Sequence, residues 1–419
     1  MKDHRRGFLK TLAASAVLSG TGKMPVLRAG TGDAPMPSGW EKLEERLAAL
    51  RKKTGAKIRS IETFTRGRDL SVVRVRTDDG AEGWGQISTF DADISAMILH
   101  RKIASHALGA DPAQFDAIND RCIEANYKFP WSFVCRALGG LDTAIWDWLG
   151  KRAGQSVCTL LGGTPRPLPV YGSSMSRTIK PPDEAKRLAR LRDEKGFTAF
   201  KVRVGKVCGH DQDESPGRTE ALIPAVRKGV GEKVALLADG NSCYTPRRAI
   251  QVGRLMEEHN YCHFEEPCPY WELEWTAETA AALKVPVAGG EQDNDLAQWR
   301  RMFRMKAVDI AQPDVLYVGG FTRALRVARM AAAAGLPVVP HSANLALVIV
   351  FTLHLMGAIP NPGRHVEFTI ESGDTGKGLY EPFPVVRDGR VAIPDGPGWG
   401  VRINPDWLAK AERQASGKA

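Results

Sequence analysis

No apolar run in this 419-residue chain approaches the roughly 20 residues that span a bilayer, so the mature protein is expected to be soluble. The seven cysteines, at positions 122, 135, 158, 208, 243, 262 and 268, contain no CxxC pair and are odd in number, which suggests neither a zinc site nor a disulfide framework. No basic stretch is interleaved with aromatics, so nothing calls for nucleic acid as a partner. Half of the formal charge of +10 comes from residues 1–30, which hold six Lys or Arg and one Asp. The excess left on the rest is mild and suits the attraction of anionic small molecules.

The first thirty residues read as an address. HRRGFLK, from His4 to Lys10, precedes a modestly apolar stretch, TLAASAVLSG, and cleavage is expected near Leu27 to Gly30. Arg5 and Arg6 ahead of Phe8, Leu9 and Lys10 resemble a twin-arginine export signal, with His4 where Ser or Thr is usual, and point to the periplasm. Cargo of that route folds before export, so reduced thiols fit it. A disordered basic tail is the alternative. Residues 31–56 are read as a linker and a charged lead-in helix. Residues 57–163 read as an α+β unit. KIRSIETFT, LSVVRVRTDDG and AEGWGQIS alternate as an antiparallel meander, and three stretches of helical period follow, one opened by Asp111-Pro112.

Between residues 164 and 377, strand-like runs alternate with helical ones. The runs are LPVYGSS, AFKVRV, VALLADG, CHFEEP, VPVAGGE, VDIAQPD, LPVVPHS and HVEFT. From Asp239 through Glu265, Glu291, Asp314 and His341 to Glu367, the ionisable residues that close them recur at intervals of 26, 26, 23, 27 and 26. One strand, one helix and two short loops take about that many residues, the repeat of a parallel (β/α) barrel. A hydrophobic content of 43% supports a core of that size. Residues 378–419 are expected to fold back onto the first unit. The fold class expected is therefore α/β, a modified TIM (β/α) barrel with an α+β N-terminal capping domain completed by the C-terminal segment.

In such a barrel the C-terminal strand ends share one mouth, so these residues meet. Asp239, Glu265 and Glu291 would offer three hard anionic oxygens, which suits Mg²⁺; left without a cation they would repel. Any one of them alone is as readily explained by an ion pair with a surface Lys or Arg. Asp314 and His341, on the next two strand ends, suit an oriented imidazole acting as general acid and base. Glu367 suits a hydrogen-bond or proton donor to a developing oxyanion, provided that burial raises its pKa. Lys201 and Arg203 alternate with apolar Val202 and Val204 and so face the mouth together, where they would grip a substrate carboxylate and stabilise an enediolate.

This set resembles the enolase superfamily, and within it the mandelate racemase group, over about Lys57 to Trp407, including the AIWDWLGKRAGQSVCTLLGG segment. The resemblance implies Mg²⁺ on Asp239, Glu265 and Glu291, a His341–Asp314 acid/base dyad, Glu367 as electrophile and Lys201 on the substrate carboxylate. Asn241, two residues beyond Asp239, would face the same mouth and touch substrate or a ligand. The chain departs from the racemase pattern at Arg203, where that pattern has a second Lys as base. A guanidinium with a pKa above about 12 is a poor proton acceptor. Two-sided proton exchange is thereby weakened, whereas a syn elimination needs only the His341 side. The implied activity is dehydration of an aldonate or aldarate to a 2-keto-3-deoxy acid. The alternatives are a racemase or epimerase of an α-hydroxy acid and a non-catalytic acid-sugar-binding barrel. Arg66 and Arg68 in the first cap loop, with Tyr127, Lys128 and Trp131 in the second, are candidate contacts for the far end of the substrate. The expected partners are a small-molecule carboxylate substrate and, by resemblance, further copies of the chain in a homo-oligomer.

Overall fold

The computed structural model describes Met36, residues 38–371 and residues 375–417. The expected export signal at residues 1–30 lies outside the described residues. No helix among the described residues is long and apolar enough to cross a membrane.

The meander forms as the alternation predicts. Strands β1 (Ile58–Arg66), β2 (Leu70–Thr77) and β3 (Glu82–Gln86) pair antiparallel in that order. The helix Phe133–Ala153 lies across β3, and the approach is close enough to need glycine. A Cβ on Gly83 would fall 2.1 Å from the Ala144 carbonyl oxygen, and one on Gly85 would fall 2.4 Å from that of Gly140. The helix ends where Gly154 turns left-handed at φ 65°. Two buried carboxylates on it tie the cap to the rest. Asp142 accepts the Thr322 N–H at 2.9 Å, and Asp147 accepts from Trp84 N at 2.7 Å and Trp399 N at 2.9 Å.

The barrel strands are β4 (Pro167–Ser173), β5 (Ala199–Arg203), β6 (Ala235–Asp239), β7 (Tyr261–Glu265), β8 (Val287–Gly289), β9 (Ile310–Ala311) and β10 (Val366–Thr369). They pair parallel in the order β10-β4-β5-β6-β7-β8-β9. Between β9 and β10 the expected strand LPVVPHS is reduced to parallel bridges of Val338 with Ala311 and Pro362, and of His341 with Asp314. Pro337 and Pro340 lack the N–H groups a longer ladder would use, which accounts for the gap. The C-terminal segment does return to the cap. Its cap strand is Glu412–Gly417, antiparallel to β1, whereas Arg390–Ala392 pairs with β4 at the other end of the barrel. All seven cysteines are free.

Candidate active site

Residues at or just past the C-terminal ends of the strands meet in one buried cluster. Lys201 is fully buried, and its Nζ stands 2.6 Å from Glu265 Oε1, 2.8 Å from Glu367 Oε1 and 3.8 Å from Asp239 Oδ2. Burial pushes its pKa down, but Glu265 and Glu367 raise it above the ordinary lysine value, so the ammonium stays charged. Arg203 forms an ion pair with Asp239. It also donates to the Ser174 carbonyl at 3.1 Å and to Asn241 Oδ1 at 3.1 Å. Asn241 in turn donates its backbone N–H to Asp239 Oδ1 at 2.8 Å and its side-chain amide to Oδ2 at 3.2 Å, and accepts from Arg177 at 2.7 Å. Its amide is thus engaged at both ends within the protein.

On the opposite side, His341 Nδ1 lies 2.7 Å from Asp314 Oδ2. The other carboxylate oxygen, Oδ1, accepts the N–H groups of Leu316 at 2.8 Å and Tyr317 at 3.0 Å. Asp314 is therefore clamped by backbone donors, His341 donates from Nδ1, and Nε2 is left to face Glu291 Oε2 at 3.3 Å. Burial lowers the imidazole pKa, but Glu291, Asp314 and Glu367 overrule it and bring it to about 9.

Glu367 departs from expectation. Burial pushes its carboxyl up, yet Lys201 and His341 hold it at about 2, and it accepts from Ser173 Oγ at 2.7 Å and Ser342 N at 2.8 Å. In this arrangement it is an ionised acceptor that holds Lys201, not a proton donor.

Asp239, Glu265 and Glu291 share the mouth, but Arg203 and Lys201 engage the first two. Among the described residues no three His, Cys, Asp or Glu side chains converge as a ready-made metal cluster. The donor set nevertheless fits a hard divalent cation in kind, being all carboxylate oxygen. The local charge fits as well. Burial and Glu265 raise the pKa of Glu291 while His341 opposes them, and the neighbouring buried acids Glu266 and Asp293 each leave one side-chain oxygen, Oε1 and Oδ2, with no hydrogen-bond partner. A cation bound there would relieve that excess of negative charge.

Several of these residues carried no signal of their own in the sequence. Gln312, which donates to Glu265 Oε2 at 2.8 Å, precedes Asp314 by two and Asp293 follows Glu291 by two, so alternation along the chain was the only available hint. Of the candidate cap contacts, Arg68 pairs with Asp91, Arg66 lies over the Trp407 ring, and Lys128 lies over an exposed Tyr127. An open cavity of about 450 Å³ runs between Arg66–Leu70 and Thr375–Lys377, but none of the strand-end residues lines it, so it is not the mouth.

Residues 183–407 match the family model described as enolase C-terminal domain-like, and residues 53–162 match that of the mandelate racemase / muconate lactonizing enzyme N-terminal domain. The chain belongs to the mandelate racemase / muconate lactonizing enzyme family of the enolase superfamily. Two curated members span nearly the same length. An arabinonate dehydratase of Saccharolobus solfataricus is 29% identical over 80% of this chain and 88% of its own. A D-galactarolactone cycloisomerase of Agrobacterium fabrum is 32% identical over 81% and 90%. Among solved structures, a protein of Roseobacter denitrificans described as a candidate racemase is 53% identical, with a TM-score of 0.85 over 86% of this chain and all of its own. An L-talarate dehydratase of Polaromonas sp. JS666, solved with Mg and L-glucarate, is 27% identical, with a TM-score of 0.76 over 87% of this chain and all of its own.

Proposed function

We propose that this chain is a Mg²⁺-dependent acid-sugar dehydratase that removes water across C2 and C3 of an aldonate or aldarate. The observation that carries the reading is the asymmetry of the mouth. One face holds an imidazole whose Nε2 stands beside Glu291 and whose Nδ1 is oriented by a clamped carboxylate, and the other holds a guanidinium already bonded to Asp239, Ser174 and Asn241.

Asp239, Glu265 and Glu291 would hold the cation. Bound there, Mg²⁺ would neutralise these carboxylates, relax the upward pull of Glu291 on His341, and make the C2 proton of a chelated substrate more acidic. Lys201, kept charged by Glu265 and Glu367, stabilises the negative charge that builds on the substrate carboxylate as the enediolate forms. His341 Nε2 takes the C2 proton. The same imidazolium then returns that proton to the C3 hydroxyl as its C–O bond breaks, so water leaves and the enol of a 2-keto-3-deoxy acid remains, which ketonises. Arg203 acts as a fixed positive charge, because a guanidinium does not accept protons at neutral pH.

Racemisation is the second reading, favoured by the 53% identity to the candidate racemase, and Arg203 stands against it. The test is a panel of acid sugars with Mg²⁺. Release of a 2-keto acid that is abolished by EDTA and by His341→Asn supports the proposal; no product from any acid, or wild-type turnover in His341→Asn, refutes it. The twin-arginine route remains part of the proposal and concerns residues outside those described.

A further inference from the structure

Above the mouth, the cap supplies a guanidinium that no carboxylate among the described residues neutralises. Arg136 lies in the first turn of the helix Phe133–Ala153. The chain just before it is fastened to the barrel, since Ser132 donates its N–H to Asn294 Oδ1 at 3.1 Å and Asn294 donates to the Tyr317 carbonyl at 2.7 Å. The helix start is thereby fixed over the loops that follow β8 and β9. Arg136 is half-buried, with its Cζ 3.6 Å from the centre of the Tyr317 ring, and it donates to Ser88 Oγ at 2.5 Å. Tyr317 is in turn 5.6 Å, ring centre to ring centre, from His341. Both partners of Arg136 are uncharged, and among the described residues no carboxylate lies within ion-pair distance of it. One hydroxyl and one aromatic face leave donors of its five-N–H fork free for a ligand.

Resting on the dehydratase reading, we propose that Arg136 is the specificity-determining contact for the far end of the substrate, and that the preferred substrate is a dicarboxylate acid sugar, an aldarate. The reach is suitable. The steps of 3.6 Å and 5.6 Å bound the distance from guanidinium to imidazole, and from C2 beside the imidazole a six-carbon aldarate runs four further C–C bonds of about 1.5 Å each to its second carboxylate. With its first carboxylate at Lys201 and C2 beside His341, an aldarate presents its second carboxylate to Arg136 as a charge-assisted, two-point partner. An aldonate of equal length ends there in a neutral hydroxymethyl group, which gives the guanidinium a single weaker hydrogen bond.

The experiment compares six-carbon aldarates with aldonates of matching configuration, on the full-length protein with Mg²⁺. The native protein is expected to favour the best aldarate at least about tenfold in kcat/KM. Arg136→Gln should lower that value about 30-fold, mostly through KM, while the matched aldonate stays within about threefold, and Arg136→Lys should restore part of the loss. A native preference for the aldonate, or an equal fall for both substrates in Arg136→Gln, overturns the proposal, the second result meaning that Arg136 only joins cap to barrel. Should Arg136→Gln fail to fold, Arg136→Met keeps the stem against Tyr317 and takes its place. If no acid sugar yields product, equilibrium dialysis of the same ligands separates the two readings. Aldarate binding that Arg136→Gln abolishes sustains the role of Arg136 while the dehydratase reading falls; equal binding of aldarate and aldonate overturns it.

Discussion

Replacing Asp314 with Asn should disable the imidazole by changing which of its nitrogens carries the proton. Asp314 Oδ1 accepts two backbone N–H groups, from Leu316 at 2.8 Å and Tyr317 at 3.0 Å, so the amide oxygen of the variant is held at that end. Its NH₂ then faces His341 Nδ1 at the position that Oδ2 occupies 2.7 Å away, and Nδ1 has to accept. The ring proton moves to Nε2, the atom that should take the C2 proton. Turning the amide round to restore the working tautomer sets the NH₂ against two N–H donors. Two unmet buried donors cost about 1–3 kcal/mol each, which corresponds to a loss of roughly 30-fold to 10⁴-fold in rate. The assay is kcat/KM for 2-keto acid formation by Asp314→Asn, with ¹⁵N NMR of His341 to read the tautomer and a thermal melt to show that the fold survives. A rate within about fivefold of the native enzyme, or an imidazole still protonated at Nδ1, refutes the reasoning.

Arg203→Lys should add a base that the native site lacks, giving C2 epimerisation of the substrate detectable by NMR; no epimer at any pH up to about 9 reduces Arg203 to a charge. Stability should fall in mild acid through His354. Its Nδ1 accepts the Cys158 N–H at 3.0 Å and its Nε2 donates to the Trp399 carbonyl at 3.0 Å, so protonation sets donor against donor, and burial lowers its pKa to about 4. The unfolded chain binds the proton first, so this contribution is complete above about pH 6.5 and is lost as pH falls toward 4. It amounts to on the order of 3 kcal/mol. His354→Gln should flatten the fall in melting temperature over that window; an unchanged slope contradicts the assignment.

The barrel was legible because the apolar runs from Asp239 onward close on ionisable residues that recur at one strand and one helix apart. The pattern was least informative where backbone chemistry interferes. LPVVPHS has the right position, yet Pro337 and Pro340 leave it only bridges. The strand that completes the cap, ERQASG at Glu412–Gly417, has no apolar alternation, because it lies mostly exposed at the edge of the sheet. Within the site, the residue types at the strand ends were readable, but their pairings were not. Lys201 reaches Glu265 and Glu367 across the barrel, a contact that depends on closure of the sheet and that leaves Glu367 ionised instead of protonated. Arg136 gave no sign at all, since helical period marks only which face is buried, and its position over Tyr317 follows from how the cap seats on the barrel.

The most direct test of one-sided elimination is NMR of the Mg²⁺-loaded protein with an aldarate in D₂O. The account predicts a 2-keto-3-deoxy acid carrying one deuterium at C3, with no inverted substrate. Inversion at C2 with deuterium incorporated there and the C3 hydroxyl retained would contradict it.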